Sequence, residues 1–312
     1  VLSLNLEKHF MALTSPITFV ATTNVILLAG GNFDLIDIDS KNLNFDPDLF
    51  KKYLLKRKKM KLPLPKLIIP VHFGGVSPDM FKIYNLCKKY NIKIIEDASQ
   101  SMGSSYFKKK VGSCKFSDLT VFSLHPVKTI TSGEGGLILT NNEKLYKKIL
   151  ELRINGIKKN SSKSWEHDME NIGYNYKISE INCALANSQL KRINSFVSKR
   201  TKIANFYKKN LNNKKLFFQE IIKNSKSAWH LFIILLKKKL SNKNKNLFYE
   251  NLKKKNIFLD VKYRPIQTFD YYKKNCKLSL CKNSIDYFRQ SFCLPINVDL
   301  NLKDIKYISN SI

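Results

Sequence analysis

Apolar and polar positions along this chain fall into short unbroken apolar runs separated by longer two-faced stretches, and each change of period marks an element. Lys66-Leu-Ile-Ile-Pro-Val-His-Phe73 is one such run, closed by Gly74-Gly75, and it predicts a buried strand. Ser77-Pro78-Asp79 then opens a stretch with Met80, Tyr84 and Cys87 on one face. That predicts a helix with Ser77 as N-cap, Pro78 in its first position and Asp79 against the positive end of its dipole. Ile92-Lys-Ile-Ile95 predicts the next strand and runs into Glu96-Asp97. Strand, helix and strand make a βαβ unit, so the strands are expected to be parallel neighbours with ligands gathering at their carboxyl ends, where Asp97 falls.

Further runs at Leu119–Leu124 and Gly136–Thr140 predict strands, and Asn142 through Leu152 predicts a helix. From Ile178 to about Asn210 the positions Ile181, Leu185, Leu190, Ile193, Val197 and Ile203 predict helices that bend near Asn194-Ser195. Trp229–Leu236 and Ile257–Val261 predict strands among helices in the remainder. The order predicts a large α/β domain over residues 1–190, then a linking helix and small α+β domain over 191–312. There is no internal repeat.

Composition narrows the function classes. A chain of 312 residues with 43% hydrophobic content can bury one large core and a smaller one. The net charge of +31 would attract phosphate groups. Its lysines, however, are dispersed with asparagine, as in Lys237-Lys-Lys-Leu-Ser-Asn-Lys-Asn-Lys245, and no nucleic-acid-binding motif accompanies them. Solvated faces explain the charge, and no specific nucleic-acid partner is expected. The densest apolar run, Leu231–Leu236, is too short to span a bilayer, and no signal-like apolar segment leads the chain. A cytoplasmic protein without a membrane partner is expected. Six cysteines without a CxxC pair or a His/Cys cluster read as reduced, with no metal site.

The candidate chemistry lies in Phe122-Ser-Leu-His-Pro-Val-Lys-Thr-Ile-Thr-Ser-Gly-Glu-Gly-Gly136, which sets Lys128 between an apolar strand and a turn eased by Gly133, Gly135 and Gly136. A lysine in a partly desolvated pocket has a lowered pKa and can form a Schiff base with an aldehyde cofactor such as pyridoxal 5'-phosphate. Asp97 could pair with the protonated ring nitrogen that makes such a cofactor an electron sink. Taken alone, Lys128 reads equally as a loop lysine in a chain with 55 Lys and Arg, and Asp97 as a turn cap.

Three ordered motifs resolve that ambiguity: Glu96-Asp-Ala-Ser-Gln100, Ser117 through Gly136, and Gly173-Tyr-Asn-Tyr-Lys-Ile-Ser-Glu-Ile-Asn-Cys-Ala184. Together they resemble the pyridoxal-phosphate-dependent nucleotide-sugar aminotransferases of the DegT/DnrJ/EryC1/StrS family. The likeness extends through Ser15–Asn24 and Ser227-Ala-Trp-His-Leu-Phe232, so it covers most of the chain. His-Pro-Val-Lys128 and Trp165-Glu-His-Asp-Met169 are most similar to the members of pseudaminic acid synthesis, which aminate C4 of a UDP-linked 4-keto-6-deoxy-N-acetylhexosamine.

The resemblance implies an aspartate-aminotransferase-like (fold type I) architecture with a mostly parallel, seven-stranded sheet. It implies a ping-pong reaction with L-glutamate as donor and a UDP-sugar as acceptor. Lys128 would carry the cofactor and shuttle the proton, Asp97 would pair with the ring nitrogen, and Gln100 would hydrogen-bond near the phenolic oxygen. Phe19 would stack on the ring, Ser123 would donate to the phosphate, and Asn175 would reach that phosphate from the partner subunit of a homodimer. A histidine in position 128 would instead imply the related sugar dehydratases. For His125 a place near the substrate and a structural role both remain open, as for His72.

Two departures accompany the likeness. Relatives have a phosphate-binding Ser-Gly-Thr turn before the Ser15–Asn24 motif, whereas this chain opens at Val1-Leu-Ser-Leu, read as already inside the following helix and as a piece of a longer protein. In Tyr263-Arg-Pro-Ile-Gln267, Gln267 stands where relatives carry a histidine, and an amide cannot titrate.

Overall fold

Six short strands form the central sheet of the computed structural model, which describes residues 1–159, 163, 165–211 and 215–312. They are β1 (Met11–Thr14), β2 (Asn32–Leu35), β3 (Leu67–Ile69), β4 (Lys93–Asp97), β5 (Leu119–Ser123) and β6 (Gly136–Leu139), in the order β2-β1-β3-β4-β5-β6. All neighbours are parallel except the last pair, which is antiparallel. The sheet is mostly parallel as expected, with six strands among the described residues in place of seven. Every residue of β3 is buried, as an apolar run covered on both faces should be.

Helix α1 (Ala21–Leu28), α2 (Pro47–Lys59) and α3 (Met80–Tyr90) connect these strands. Ser77 does not cap α3. Its hydroxyl donates to the Pro78 carbonyl (2.9 Å), and Asp79 is the N-cap, accepting from the Lys82 amide (3.2 Å). The first residues are also corrected: Leu2–Leu4 form one 3-10 turn that Asn5 ends in a left-handed conformation.

Beyond the sheet come α4 (Glu143–Arg153), α5 (Glu180–Lys191) and α6 (Ile193–Asn210). The break between α5 and α6 falls at Arg192, ahead of the predicted bend. Strands β7 (Leu216–Phe218), β8 (Phe232–Leu236) and β9 (Ser291–Leu294) form an antiparallel sheet with β8 central. Ile257–Val261 is not a strand. Ile257 and Leu259 are buried, but only Asp260 finds a bridge partner, Cys293. Against this sheet pack α6, α7 (Asn242–Lys253) and α10 (Leu302–Ser311), around Tyr207, Phe232 and Phe292. Burying a side chain such as Phe292 contributes roughly 2–3 kcal/mol.

The chain then returns to the large sheet through α8 (Asp270–Asn275) and α9 (Lys282–Gln290). Ile266, Tyr272 and Cys281 join Phe10, Phe33, Leu67 and Ile95 in one core. The Tyr272 hydroxyl lies 2.7 Å from the Thr23 hydroxyl and donates to Asn24 Oδ1 at 2.6 Å. All six cysteines are free, and no described helix is long and apolar enough to cross a membrane. The segment from β6 to α5 is different in character: β6 is exposed along its length, and α4 and α5 bury no residue completely.

Candidate active site

Lys128 lies in the turn after β5, with its amide donating to the His125 carbonyl (3.0 Å). Burial holds its amine below the ordinary lysine range; the nearby Asp97 charge works against this and the Lys262 charge adds to it. A lysine so placed is a better nucleophile at neutral pH than one in solvent.

Asp97 ends β4 and is fixed at both carboxylate oxygens. Oδ1 accepts from the Ser99 amide (3.1 Å) and Oδ2 from the Thr22 hydroxyl (2.7 Å). Thr22 is itself 2.6 Å from the Thr18 hydroxyl, so the Ser15–Asn24 segment positions the acid. Beneath it, buried Glu96 lies 2.8 Å from His72 Nε2 and accepts from the hydroxyls of Ser117 (2.5 Å) and Thr120 (3.2 Å). Burial alone would raise its pKa, but these partners outweigh burial and hold the carboxyl below its usual value. His72 is therefore part of a buried structural pair.

Gln100 is buried one turn beyond Asp97. Its Oε1 accepts from the Gly74 amide (2.8 Å) and its Nε2 donates to the Tyr263 hydroxyl (3.0 Å). Tyr263 stands between two rings, 6.1 Å from Phe19 and 6.3 Å from Phe73. Phe19 is 60% exposed, which leaves its ring free to cover a ligand. Ser123 is half-buried, and its hydroxyl accepts from the His125 amide (3.3 Å).

The structure therefore gathers Lys128, Asp97, Gln100 and Phe19 around one place, with Ser123 leading into the lysine turn. Asn175 stands apart from this group. It is exposed, and its segment is tied to the end of α4 through Tyr174 and Tyr176 amides donating to Leu152 and Arg153 carbonyls. His125 is exposed as well, its Nε2 3.8 Å from Glu134. Gln267 donates to the Cys281 carbonyl (3.1 Å) and the Ser284 hydroxyl (3.0 Å), which makes it a packing residue. Gly135 eases the turn by leaving room for its neighbours. A Cβ there would lie 2.8 Å from Ile178 and from the Ser132 hydroxyl, so the glycine admits the chain itself, not a ligand.

Four residues near the lysine escape a reading of single positions: Thr22, His230, Lys262 and Tyr263. Thr22 and His230 sit inside segments quoted for the family likeness, and that was the only available signal. Tyr263 and Lys262 come near Lys128 by long-range packing that periodicity does not carry.

A half-buried amine, a carboxylate held on a strand end and an exposed aromatic face form the donor set that pyridoxal phosphate requires, so the site fits that cofactor. On a mostly parallel α/β sheet this defines the class: a pyridoxal-phosphate-dependent aminotransferase with the aspartate-aminotransferase-like fold. The profile of the DegT/DnrJ/EryC1/StrS aminotransferase family matches residues 2–312, and the chain belongs to that family. It is 39% identical over 306 residues to the UDP-4-amino-4,6-dideoxy-N-acetyl-beta-L-altrosamine transaminase of Campylobacter jejuni subsp. jejuni serotype O:23/36, covering 98% of this chain and 79% of the relative. The Helicobacter pylori transaminase of the same name is 32% identical, with 96% and 77% covered. The solved structure of Helicobacter pylori PseC, described as an aminotransferase of pseudoaminic acid biosynthesis, superposes with a TM-score of 0.88 at 31% identity, covering 98% of this chain and 79% of that one.

Proposed function

We propose that this chain moves an amino group from L-glutamate to the C4 keto group of a UDP-linked 4-keto-6-deoxy-N-acetylhexosamine. The observation that carries this reading is the 39% identity to the altrosamine transaminase across 98% of the chain, combined with a half-buried Lys128 within reach of the Asp97 charge. When bound, pyridoxal phosphate supplies an aldehyde carbon to carry nitrogen and a ring to hold the electron pair of the broken C–H bond. Lys128 would hold the cofactor and would carry a proton at the substrate carbon through its amine. Asp97 would pair with the ring nitrogen, Phe19 would cover the ring, Gln100 would serve the phenolic oxygen and Ser123 the phosphate. Residues 1–190 would form the cofactor domain and 191–312 the smaller one. Free cysteines fit a cytoplasmic location.

The experiment is amine transfer from labelled glutamate across a panel of 4-keto and 3-keto nucleotide sugars, read by mass and NMR. The 4-keto-6-deoxy-N-acetylhexosamine should be preferred. Faster transfer to a 3-keto sugar would move the reading to another nucleotide-sugar aminotransferase.

The working unit is a homodimer in which Asn175 serves the partner's cofactor phosphate. In support, Asn175 lies beside a run of exposed apolar residues: Ile172, Tyr176, Ile181, Leu185 and Leu190. Ile181 is 82% exposed, a cost that an interface would remove. Lys128→Ala and Asn175→Ala chains, each nearly inactive, should complement each other after subunit exchange. Half of randomly exchanged dimers are mixed, each with one intact site, so about a quarter of wild-type activity should return. No recovery in mixtures shown to exchange would sink the shared site.

A further inference from the structure

The side-chain amide of Gln100 can present either its oxygen or its nitrogen to a ligand, and its neighbours decide which. Its Oε1 accepts from the Gly74 amide (2.8 Å), a group that can only donate, so the oxygen must face Gly74 and the nitrogen must face away. Gly74 has a φ of 69°, and a Cβ there would strike the Gln219 side chain, so the turn that presents this amide requires a glycine. Nε2 carries two N–H groups. One is given to the Tyr263 hydroxyl (3.0 Å), and no other described residue takes the second.

Tyr263 reaches Gln100 from 163 residues further along the chain, and its own seat is well defined. Its ring lies 6.3 Å from Phe73 at 53° and 6.1 Å from Phe19 at 51°. Phe73 in turn meets Tyr287 edge-on at 5.8 Å, and the Tyr287 hydroxyl donates to the Lys262 carbonyl, which fixes the backbone beside Tyr263. The Ile266 amide donates to the Pro16 carbonyl (2.9 Å), tying the same loop to the segment that carries Phe19. A hydroxyl held this way offers Gln100 a lone pair in one place.

We propose that Tyr263 is a positioning residue for Gln100: by accepting one Nε2 hydrogen it turns the second toward the phenolic oxygen of pyridoxal phosphate. With the Gly74 bond alone, the side chain can still swing about a single anchor. With Tyr263 the amide plane is pinned at two points. The proposal rests on the cofactor reading above, in which Gln100 serves the phenolic oxygen.

The test measures the affinity of apo-protein for pyridoxamine phosphate and for its 3-deoxy analogue, which lacks the phenolic oxygen, in wild type, Tyr263→Phe, Gln100→Ala and the double variant. Tyr263→Phe removes one oxygen and leaves the ring against Phe73 and Phe19. It should weaken pyridoxamine phosphate binding about 3- to 10-fold, the range of one hydrogen bond, and change binding of the 3-deoxy analogue by less than about twofold. In the Gln100→Ala background the same substitution should cost less than about twofold for either ligand, because the group it acts through is gone. Equal losses for the two ligands would mark a purely structural role and overturn the proposal. Wild-type affinity in Tyr263→Phe would overturn it too, as would an additive loss in the double variant. Borohydride reduction of wild type loaded with pyridoxal phosphate tests the reading beneath: fixation on a lysine other than Lys128 would overturn the cofactor assignment instead.

Discussion

Lys128→Ala is expected to lose at least about ten-thousandfold in amine transfer, because in the proposed reaction one side chain would supply both the covalent tether and the proton carrier. Borohydride should then fix no cofactor, while circular dichroism and melting temperature stay near wild type, since the residue lies in a turn outside the sheet ladders. The same amine sets a pH signature. Its pKa is depressed by burial from the usual 10.5, so covalent capture of pyridoxal phosphate should set in at lower pH than for a solvent-exposed lysine. Lys262 pushes it further down, so Lys262→Met should move that onset upward. Fixation that persists in Lys128→Ala would remove this residue from the reaction.

The second large effect belongs to Asp97→Asn, expected to cut turnover by about a hundredfold or more. Loss of a charge worth a few kcal/mol in the transition state sets that scale. Asn retains one acceptor oxygen, enough for the Ser99 amide, and its amide nitrogen can donate to the Thr22 hydroxyl in place of accepting from it, so the local fold should hold. The effect on Lys128 has the opposite sense. Asp97 raises the lysine's pKa, so neutralising it should let that pKa fall, and covalent capture should begin at lower pH even as turnover collapses. Turnover within about twofold of wild type would exclude Asp97 from the site.

Much of the large sheet was legible in the sequence because parallel strands covered on both faces leave uninterrupted apolar runs. Leu67–Ile69 and Leu119–Ser123 fall inside such runs, and Lys93–Asp97 overlaps one and extends two charged residues beyond it. The cap of α3 was misread because Ser77 and Asp79 both suit an N-cap, and only geometry shows that the Ser77 hydroxyl is committed to Pro78. Ile257–Val261 alternates like a strand, but alternation reports which residues are buried, and those five residues bury theirs without a ladder. At the site, Lys128 and Asp97 announced themselves as chemical groups at element ends. Thr22 and Tyr263 did not, because their significance lies in what they touch across 75 and 163 residues of chain.

The return of the C-terminal residues to the first helix also bears on when the protein can become functional. Tyr272 bonds to Thr23 and Asn24, Ser279 to Asp34, Asn283 to Asp37, and Tyr263 to Gln100. Several of these links close loops of more than 240 residues, the kind of non-local contact that slows folding. A growing polypeptide on the ribosome can assemble β1 to β5 early, but Gln100 has no Tyr263 to hold and Asp34 no Ser279 to bind until residues 263–279 emerge. The surroundings of Lys128 and Gln100 are therefore completed only after Tyr263, Ser279 and Asn283 have been made, and a chain terminated before them would present Lys128 without those walls.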